Sequence, residues 1–443
     1  MDRTYAGVRS ASAATFLSVA LACATAPSAP AQARSEEEPI AARSKPASVS
    51  ARSGLPAPGA GGAARPAGAP GGLRVLDWAG FRAALSYTLD DAQPSHLEHY
   101  DALQATGVRM TFYVSNVTAA GAPAFWRRVV ADGHELGNHT AHHCHASFGE
   151  DPVLTGCAFG ALPAEATVDS ELDDVSAFIT GVAGQRGVWT MASPYGDANW
   201  DAHAAHRFLA NRDVFRGMVA PGDATDPFHL PAYMPGPPEH GGIPATQAAL
   251  DAVVDEARAG GKWAILVLHS LGPTSQSWYG LLDVRELLGN VGRVKAAGDV
   301  WADSVVNVAA YWRAQKLFAA LVPAVADGRT TWRWELPARF PEGKFLRVRV
   351  DGGTLTQAGA EVPWDEHGYY EIALDARELT LAPEPVRASA APPHGTSLAP
   401  SVKPDAKSGA GAASETGDGA TGTRTSTGQG PGDDPASVCS PSV

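Results

Sequence analysis

The 443-residue chain is 44% hydrophobic and 18% charged, with a formal net charge of -13 at pH 7. That length suits about two or three domains, and the apolar share suits a large core. The acidic balance argues against nucleic acid and an anionic membrane surface as partners, and says little about a neutral glycan.

Residues 1–33 read as a signal peptide. Arg3 and Arg9 form a basic start, an apolar stretch follows from Ala13, and Ala31–Ala33 supply a small-residue cleavage site. The apolar stretch is too short to span a bilayer, and no later segment is long and apolar enough to do so. The expected location is therefore secreted or cell envelope, with lipid attachment at Cys23 in "ALAC" as a variant. Residues 34–72 have the Ala, Pro, Gly and Ser composition of a flexible linker.

A run of alternating β and α patterns occupies 73–318. "FRAALSYTL" reads as a strand, "SHLEHYDALQATG" as a helix stopped at Gly107, and "RMTFYVS" as a strand. "PAFWRRVVADG" reads as a helix opened by Pro123, and "HELGNH" as a short strand. Farther on, "GVWTMASPYG", "DVFRGMVA" and "WAILVLH" are β-rich, with "TQAALDAVVDEARAGG" helical between them. A helix from Tyr279, a strand at "DVWADS" and a helix at "VVNVAAYWRAQKLF" complete the series. Nearly all-apolar strands alternating with helices imply a parallel sheet covered by helices, most simply a barrel. From 319 to 387 the period changes to two, with Trp332, Trp334 and Leu336 in phase and a turn at Asp351–Gly352, so a small all-β module is expected. Residues 388–443 are too poor in apolar side chains to order themselves and read as a disordered tail.

Four stretches carry polar groups at predicted strand ends, where a parallel barrel holds its chemistry. Asp90 and Asp91 follow the first strand. Adjacent strand residues point to opposite sides, so both acids face one pocket only if the chain is already turning. His139, His142, His143 and His145 fall within seven residues. His139 and His143 are i and i+4, which on a helix share one face and grip a single cation, and His142 is an alternative at i+3. Pro194 and Gly196 shape a turn that could aim backbone N–H groups into a pocket. His269 ends the apolar run through Leu268 and could act as a general acid. Each stretch alone is equally a turn, a polar loop or a core histidine. Together, one carboxylate and two imidazoles make a metal triad with room for water, and the second carboxylate is placed to take a proton. Cys144 and Cys157 are close enough in sequence to pair in an exported protein, and Cys439 has no evident partner.

This order of motifs resembles the polysaccharide deacetylase family (the NodB homology domain, carbohydrate esterase family 4) over roughly residues 80–316. "TLDDA" resembles the family's T-F-D-D-G, "HTAHH" its H-[ST]-x-x-H, "ASPYG" its R-x-P-[YFW], and "VLH" its L-x-L-H. The resemblance implies a distorted (β/α)7 barrel. It implies Asp90 as catalytic base, His269 as catalytic acid, and Asp91, His139 and His143 as ligands of a divalent metal, usually Zn2+. Leu268 would line the acetyl pocket beside Pro194, and the Tyr195 N–H would help hold the oxyanion. The implied partner is an acetylated glycan. The implied reaction removes N-acetyl groups from chitin, chitooligosaccharide or peptidoglycan; acetylxylan O-deacetylation is the alternative. The family's motif Arg falls at Ala192 here, which leaves open what orients Asp90 and also admits a weakened glycan-binding homologue. Arg216 and Asp226 are candidates to hold His269 in its tautomer. Tyr195, Trp200 and Trp278 are aromatics that could stack on sugar rings or sit in the core. Trp332 and Trp334, in phase with Leu336, favour a structural role for the β module over carbohydrate binding.

Overall fold

In the computed structural model, residues 53–147, 152–238, 241–277 and 279–384 are described. The expected signal peptide, the first part of the linker, Trp278 and the C-terminal tail lie outside them. Among the described residues no helix is long and apolar enough to cross a membrane.

Strand β1, Ala83–Asp90, is buried along its whole length. Leu85, Tyr87 and Leu89 pack outward against the helix layer, with Tyr100, Leu103, Leu250 and Leu287 in the same cluster. Ser86, Thr88 and Asp90 alternate to the other side, as strand geometry requires. The remaining barrel strands are β2 Thr111–Val114, β3 Glu135–Asn138, β4 Thr190–Ala192, β5 Ala210–Arg212, β6 Trp263–Leu268 and β7 Val300–Ala302. All pair in parallel, in the order β7-β1-β2-β3-β4-β5, with β6 on β1. The circuit closes through 230–233. Leu230 exchanges backbone hydrogen bonds with Asn211 and Asp213, and Tyr233 with Ile265 and Val267. This is the curled parallel sheet expected of a NodB-type barrel. "DVFRGMVA" is not itself a strand; the strand is the preceding Ala210–Arg212, and Val219 makes only an isolated bridge to Trp263.

The helices that cover the sheet follow from local signals. Helix α1, Pro94–Ala105, starts with proline at its first turn. Helix α2, Pro123–Ala131, starts the same way, and α3, Val168–Ala177, has a capping box between Thr167 and Ser170. Helix α4, Asp201–Arg207, is short. Helices α5, Gln247–Gly260, and α6, Val284–Ala297, each end on a glycine in the left-handed region, Gly261 and Gly298. Helix α7 spans Val305–Ala319.

The β module consists of two antiparallel sheets. One is ordered Ala324–Ala326, Arg329–Arg333, Glu378–Ala382, Thr354–Gln357 and Ala360–Glu361; the other contains Phe345–Arg349, Tyr369–Ala373 and Trp364–Asp365. Trp332 and Trp334 are buried beside Phe318 of α7, with ring centroids 6.5 and 5.4 Å away. One apolar cluster runs from Val305, Val308 and Trp312 into Leu346 and Val348, so barrel and module share a core.

The segment read as linker differs from that reading where it is described. From Ser53 it is fastened to the module. Ser53 Oγ donates to Glu371 at 2.6 Å, Arg347 Nη1 to the Pro56 carbonyl at 2.7 Å, and Trp364 Nε1 to the Ala63 carbonyl at 2.8 Å. The strand Arg74–Val75 then pairs with Phe345–Arg349. Composition missed this because the partners hold the backbone, which Pro and Gly offer as readily as any residue.

His134, just before β3, carries a pH dependence. Its Nδ1 accepts from the Met110 N–H at 3.0 Å and its Nε2 lies 2.7 Å from Gln104 Oε1, which places the neutral ring's proton on Nε2. Burial pushes His134 down to about 4. Unfolded, it titrates near 6.5, so its contribution to stability is complete above about pH 6.5 and is lost as pH falls toward 4. His96, pushed by burial to about 4, adds to the same window. Urea midpoints should show a loss of about 2–3 kcal/mol from His134 across it, and His134→Gln should flatten the profile correspondingly.

Candidate active site

Sheet register brings the candidate residues to one end. Asp90 pairs with Tyr113, Val114 with Asn138, Asn138 with Met191, Ala192 with Arg212, and Leu89 with Leu268. Asp90, His139, Ser193, Arg212 and His269 therefore stand at the C-terminal rim. They line a cavity of about 680 Å³ together with Asp91, His143, Phe159, Tyr195, Val214, Met234 and Tyr279.

The adjacent acids share this cavity because the strand ends between them. Asp90 is the last strand residue and keeps the inward phase of Ser86 and Thr88. Asp91 and Ala92 adopt φ of 75° and 53°, a left-handed turn that swings the second carboxylate back to the first. Gln93 Nε2 donates to Asp91 Oδ2 at 3.1 Å, and the Gln93 Oε1 accepts from Ser270, so the loops after β1 and β6 are tied together.

The guanidinium absent at Ala192 is supplied from the paired position on the next strand. Arg212 is fully buried and its Nη2 donates to both Asp90 oxygens, at 2.6 and 2.5 Å. Its guanidinium lies 5.1 Å over the Tyr113 ring. Gly137 makes room for that ring, since a Cβ there would fall 2.4 Å from it. Sequence reading missed Arg212. The available signal was an arginine 20 residues past Ala192, at the end of the next short strand, Ala210–Arg212.

His139 and His143, the expected metal ligands, are not on a helix. They lie on a loop after β3 with positive φ at Thr140 (58°) and His143 (52°), and their rings meet at 4.7 Å. His139 Nδ1 donates to the Ala192 carbonyl at 2.8 Å, which leaves its Nε2 lone pair toward Asp91 Oδ1 at 3.3 Å. His143 Nε2 is 3.7 Å from the same oxygen. Burial raises Asp91, but the nearby imidazoles of His139, His269 and His143 outweigh this and hold it well below the usual carboxylate range. Burial pushes His143 down to about 3. Asp91, His139 and His143 offer ligand atoms within 4.8 Å of one another, and Asp91 Oδ1 is buried without a hydrogen bond. One carboxylate and two imidazoles converging on an unsatisfied oxygen fit a divalent cation such as Zn2+. His142, the i+3 alternative, turns away to Glu171 at 2.6 Å.

His269 faces this group across the cavity, its Nε2 3.9 Å from Asp91 Oδ2 and its ring against Tyr279 at 4.9 Å. Burial lowers it from the ordinary histidine range. Neither Arg216 nor Asp226 is among its contacts: Arg216 lies over Tyr233, and Asp226 caps the Phe228 N–H. Tyr195, with φ 58°, is partly exposed and stacks on His145 at 4.1 Å. Leu268 and Pro194 are buried and do not line the cavity. Leu268 keeps the outward phase of Leu266 and joins the helix-side core. Trp200 is fully buried with Nε1 bonded to the Cys144 carbonyl, so it is core and not a sugar platform.

Cys144 and Cys157 form a disulfide. The same loop is held by Ala158 N–H to His143 O and Phe159 N–H to His142 O, both 3.1 Å. Replacing both cysteines with alanine should cost about 2–3 kcal/mol in unfolding free energy through loop entropy. It should also raise KM more than it lowers kcat, because Phe159 lines the cavity; denaturation and steady-state kinetics check both.

A parallel barrel with two acids, two clustered imidazoles and an opposing histidine at its strand ends defines a hydrolase-type site class. Residues 82–212, which contain both acids, the histidine loop and Arg212, match the model of the polysaccharide deacetylase family. The chain is also 30% identical over 156 residues to a gellan lyase from Bacillus sp, covering 35% of this chain but 6% of the lyase. A putative polysaccharide deacetylase from Mycobacterium smegmatis is similar in structure at 20% identity, covering 62% of this chain and 100% of that one, with a TM-score of 0.37. A family 4 acetyl xylan esterase from Clostridium thermocellum is 17% identical, covering 51% and 89%, with a TM-score of 0.33.

Proposed function

We propose that the chain is a metal-dependent hydrolase that removes N-acetyl groups from an amino-sugar polymer or oligomer. The observation that carries this reading is the placement of Asp90, gripped by Arg212, beside the Asp91–His139–His143 cluster and opposite His269. Zn2+ bound by Asp91, His139 and His143 would supply Lewis acidity, polarising the acyl carbonyl and making nearby water more acidic.

The chain's own groups divide the remaining work. Asp90, gripped by the Arg212 guanidinium, takes the proton from the attacking water. The Tyr195 N–H, on its left-handed turn, supports the carbonyl oxygen as charge develops. His269, whose burial makes its proton easy to give up, protonates the departing sugar nitrogen. Phe159, Val214, Met234 and Tyr279 exclude water around the acyl group. The products are a free amine and acetate. The reading includes export, from the first 33 residues, which would place the enzyme beside envelope or extracellular glycans. A homologue without turnover was suggested by Ala192; Arg212 removes that ground.

The test is acetate release by the purified chain from N-acetylchitooligosaccharides, peptidoglycan and acetylxylan, after chelation and with Zn2+ restored. Zinc-dependent release from the N-acetyl substrates is expected. Release from acetylxylan alone would replace the reading with an O-acetyl esterase, and no release from any would leave glycan binding.

A further inference from the structure

A second group of metal-ligating atoms lies apart from the His–His–Asp cluster. Asp201 at the start of α4, Asp213 directly after β5, and His229 offer ligand atoms within 4.8 Å of one another. Three segments meet here, and each is anchored independently. Asp213 is fixed by its N–H to the Leu230 carbonyl at 2.9 Å. Asp201 Oδ1 accepts from Asn211 Nδ2 at 2.9 Å. The His229 ring stacks on Phe215 at 4.4 Å and sends Nδ1 to Asp201 Oδ2 at 2.8 Å and to Asp213 Oδ2.

Two carboxylates share one imidazole at this place. Asp213 is 1% exposed; its Oδ2 meets His229 Nδ1, its Oδ1 is buried without a hydrogen bond, and Ser193 lies close by. A buried carboxylate in that condition is costly unless a cation compensates it. Arg212, whose charge also acts on Asp213, bonds Asp90 through Nη2. Asp226 adds further negative charge near Asp201. The His229 and Asp201 side chains remain 38% and 23% exposed, which leaves a route for an ion and its waters.

We propose that Asp201, Asp213 and His229 form a second divalent-cation site, structural in role, that takes Zn2+ or Mn2+. One imidazole and two carboxylates are the nitrogen and oxygen donors these ions accept, with water completing the shell. The ion would pin the end of β5 to α4 and to the 226–230 segment, immediately behind Arg212.

Metal-free full-length protein titrated calorimetrically with Zn2+ tests this. Two equivalents are expected, with metal content after gel filtration agreeing. Asp201→Asn/His229→Gln should retain one equivalent, and His139→Gln/His143→Gln should retain the other. A crystal soaked in Zn2+ should give an anomalous peak between Asp201, Asp213 and His229. One equivalent in the unmodified chain, lost in His139→Gln/His143→Gln and unaffected by Asp201→Asn/His229→Gln, overturns the proposal. So does a second peak elsewhere, which would leave a protonated His229 as the cation between the two acids. Near-UV circular dichroism checks each variant's fold, and the stoichiometry and peak position of the unmodified chain decide the matter if a variant does not fold.

Discussion

Arg212→Met is expected to lower kcat/KM for acetate release by about two orders of magnitude, mostly in kcat. The guanidinium touches no part of the acyl group in this reading; it holds both oxygens of Asp90 from one nitrogen. Without it the carboxylate is buried beside Tyr113 with no cation of its own. Breaking a buried pair from one side costs roughly 3–5 kcal/mol in stability. Asp90→Asn in the same chain should therefore restore most of the stability and none of the activity, which separates positioning from folding. A transplant is the sharper test. Ala192 and Arg212 are register partners, so Ala192→Arg/Arg212→Ala should recover at least tenfold of the lost turnover. Unchanged turnover in Arg212→Met would sink the assignment.

Asp90→Asn alone is expected to reduce kcat by about three orders of magnitude while the protein keeps its zinc. The substitution preserves volume and an oxygen for Arg212 but removes the proton acceptor. Asp91→Asn should behave differently: zinc affinity falls as well, because Asp91 Oδ1 is the oxygen on which His139 and His143 converge. Metal content and turnover measured side by side distinguish the two acids. If Asp90→Asn loses zinc and Asp91→Asn retains it, their roles are exchanged.

The barrel was readable because its longer strands are rich in apolar residues and several of its helices carry their own punctuation, Pro at the start or Gly at the end. The acids and histidines were readable because spacing survives folding. What escaped is contact between strands. Arg212 reaches Asp90 across the sheet, and the register that aligns it with Ala192 is a property of hydrogen bonding, not of local pattern. Leu268 escaped for a related reason. One residue of strand phase separates the cavity from the helix layer, and Leu268 shares its phase with Leu266. The histidine loop was read with the wrong backbone: i and i+4 suggest a helix, whereas positive φ at Thr140 and His143 brings the two rings together on a loop. The ordered stretch from Ser53 escaped because its partners lie hundreds of residues later.

That last feature bears on how the protein is made. Arg74–Val75 precedes the barrel, and the strand it pairs with, Phe345–Arg349, follows the barrel. A ribosome releases the first long before the second, and the shared core of Val308, Trp312, Leu346 and Val348 cannot be sealed until both have emerged. Completion of that core therefore waits for the strands that follow the barrel, however early the barrel's own strands emerge.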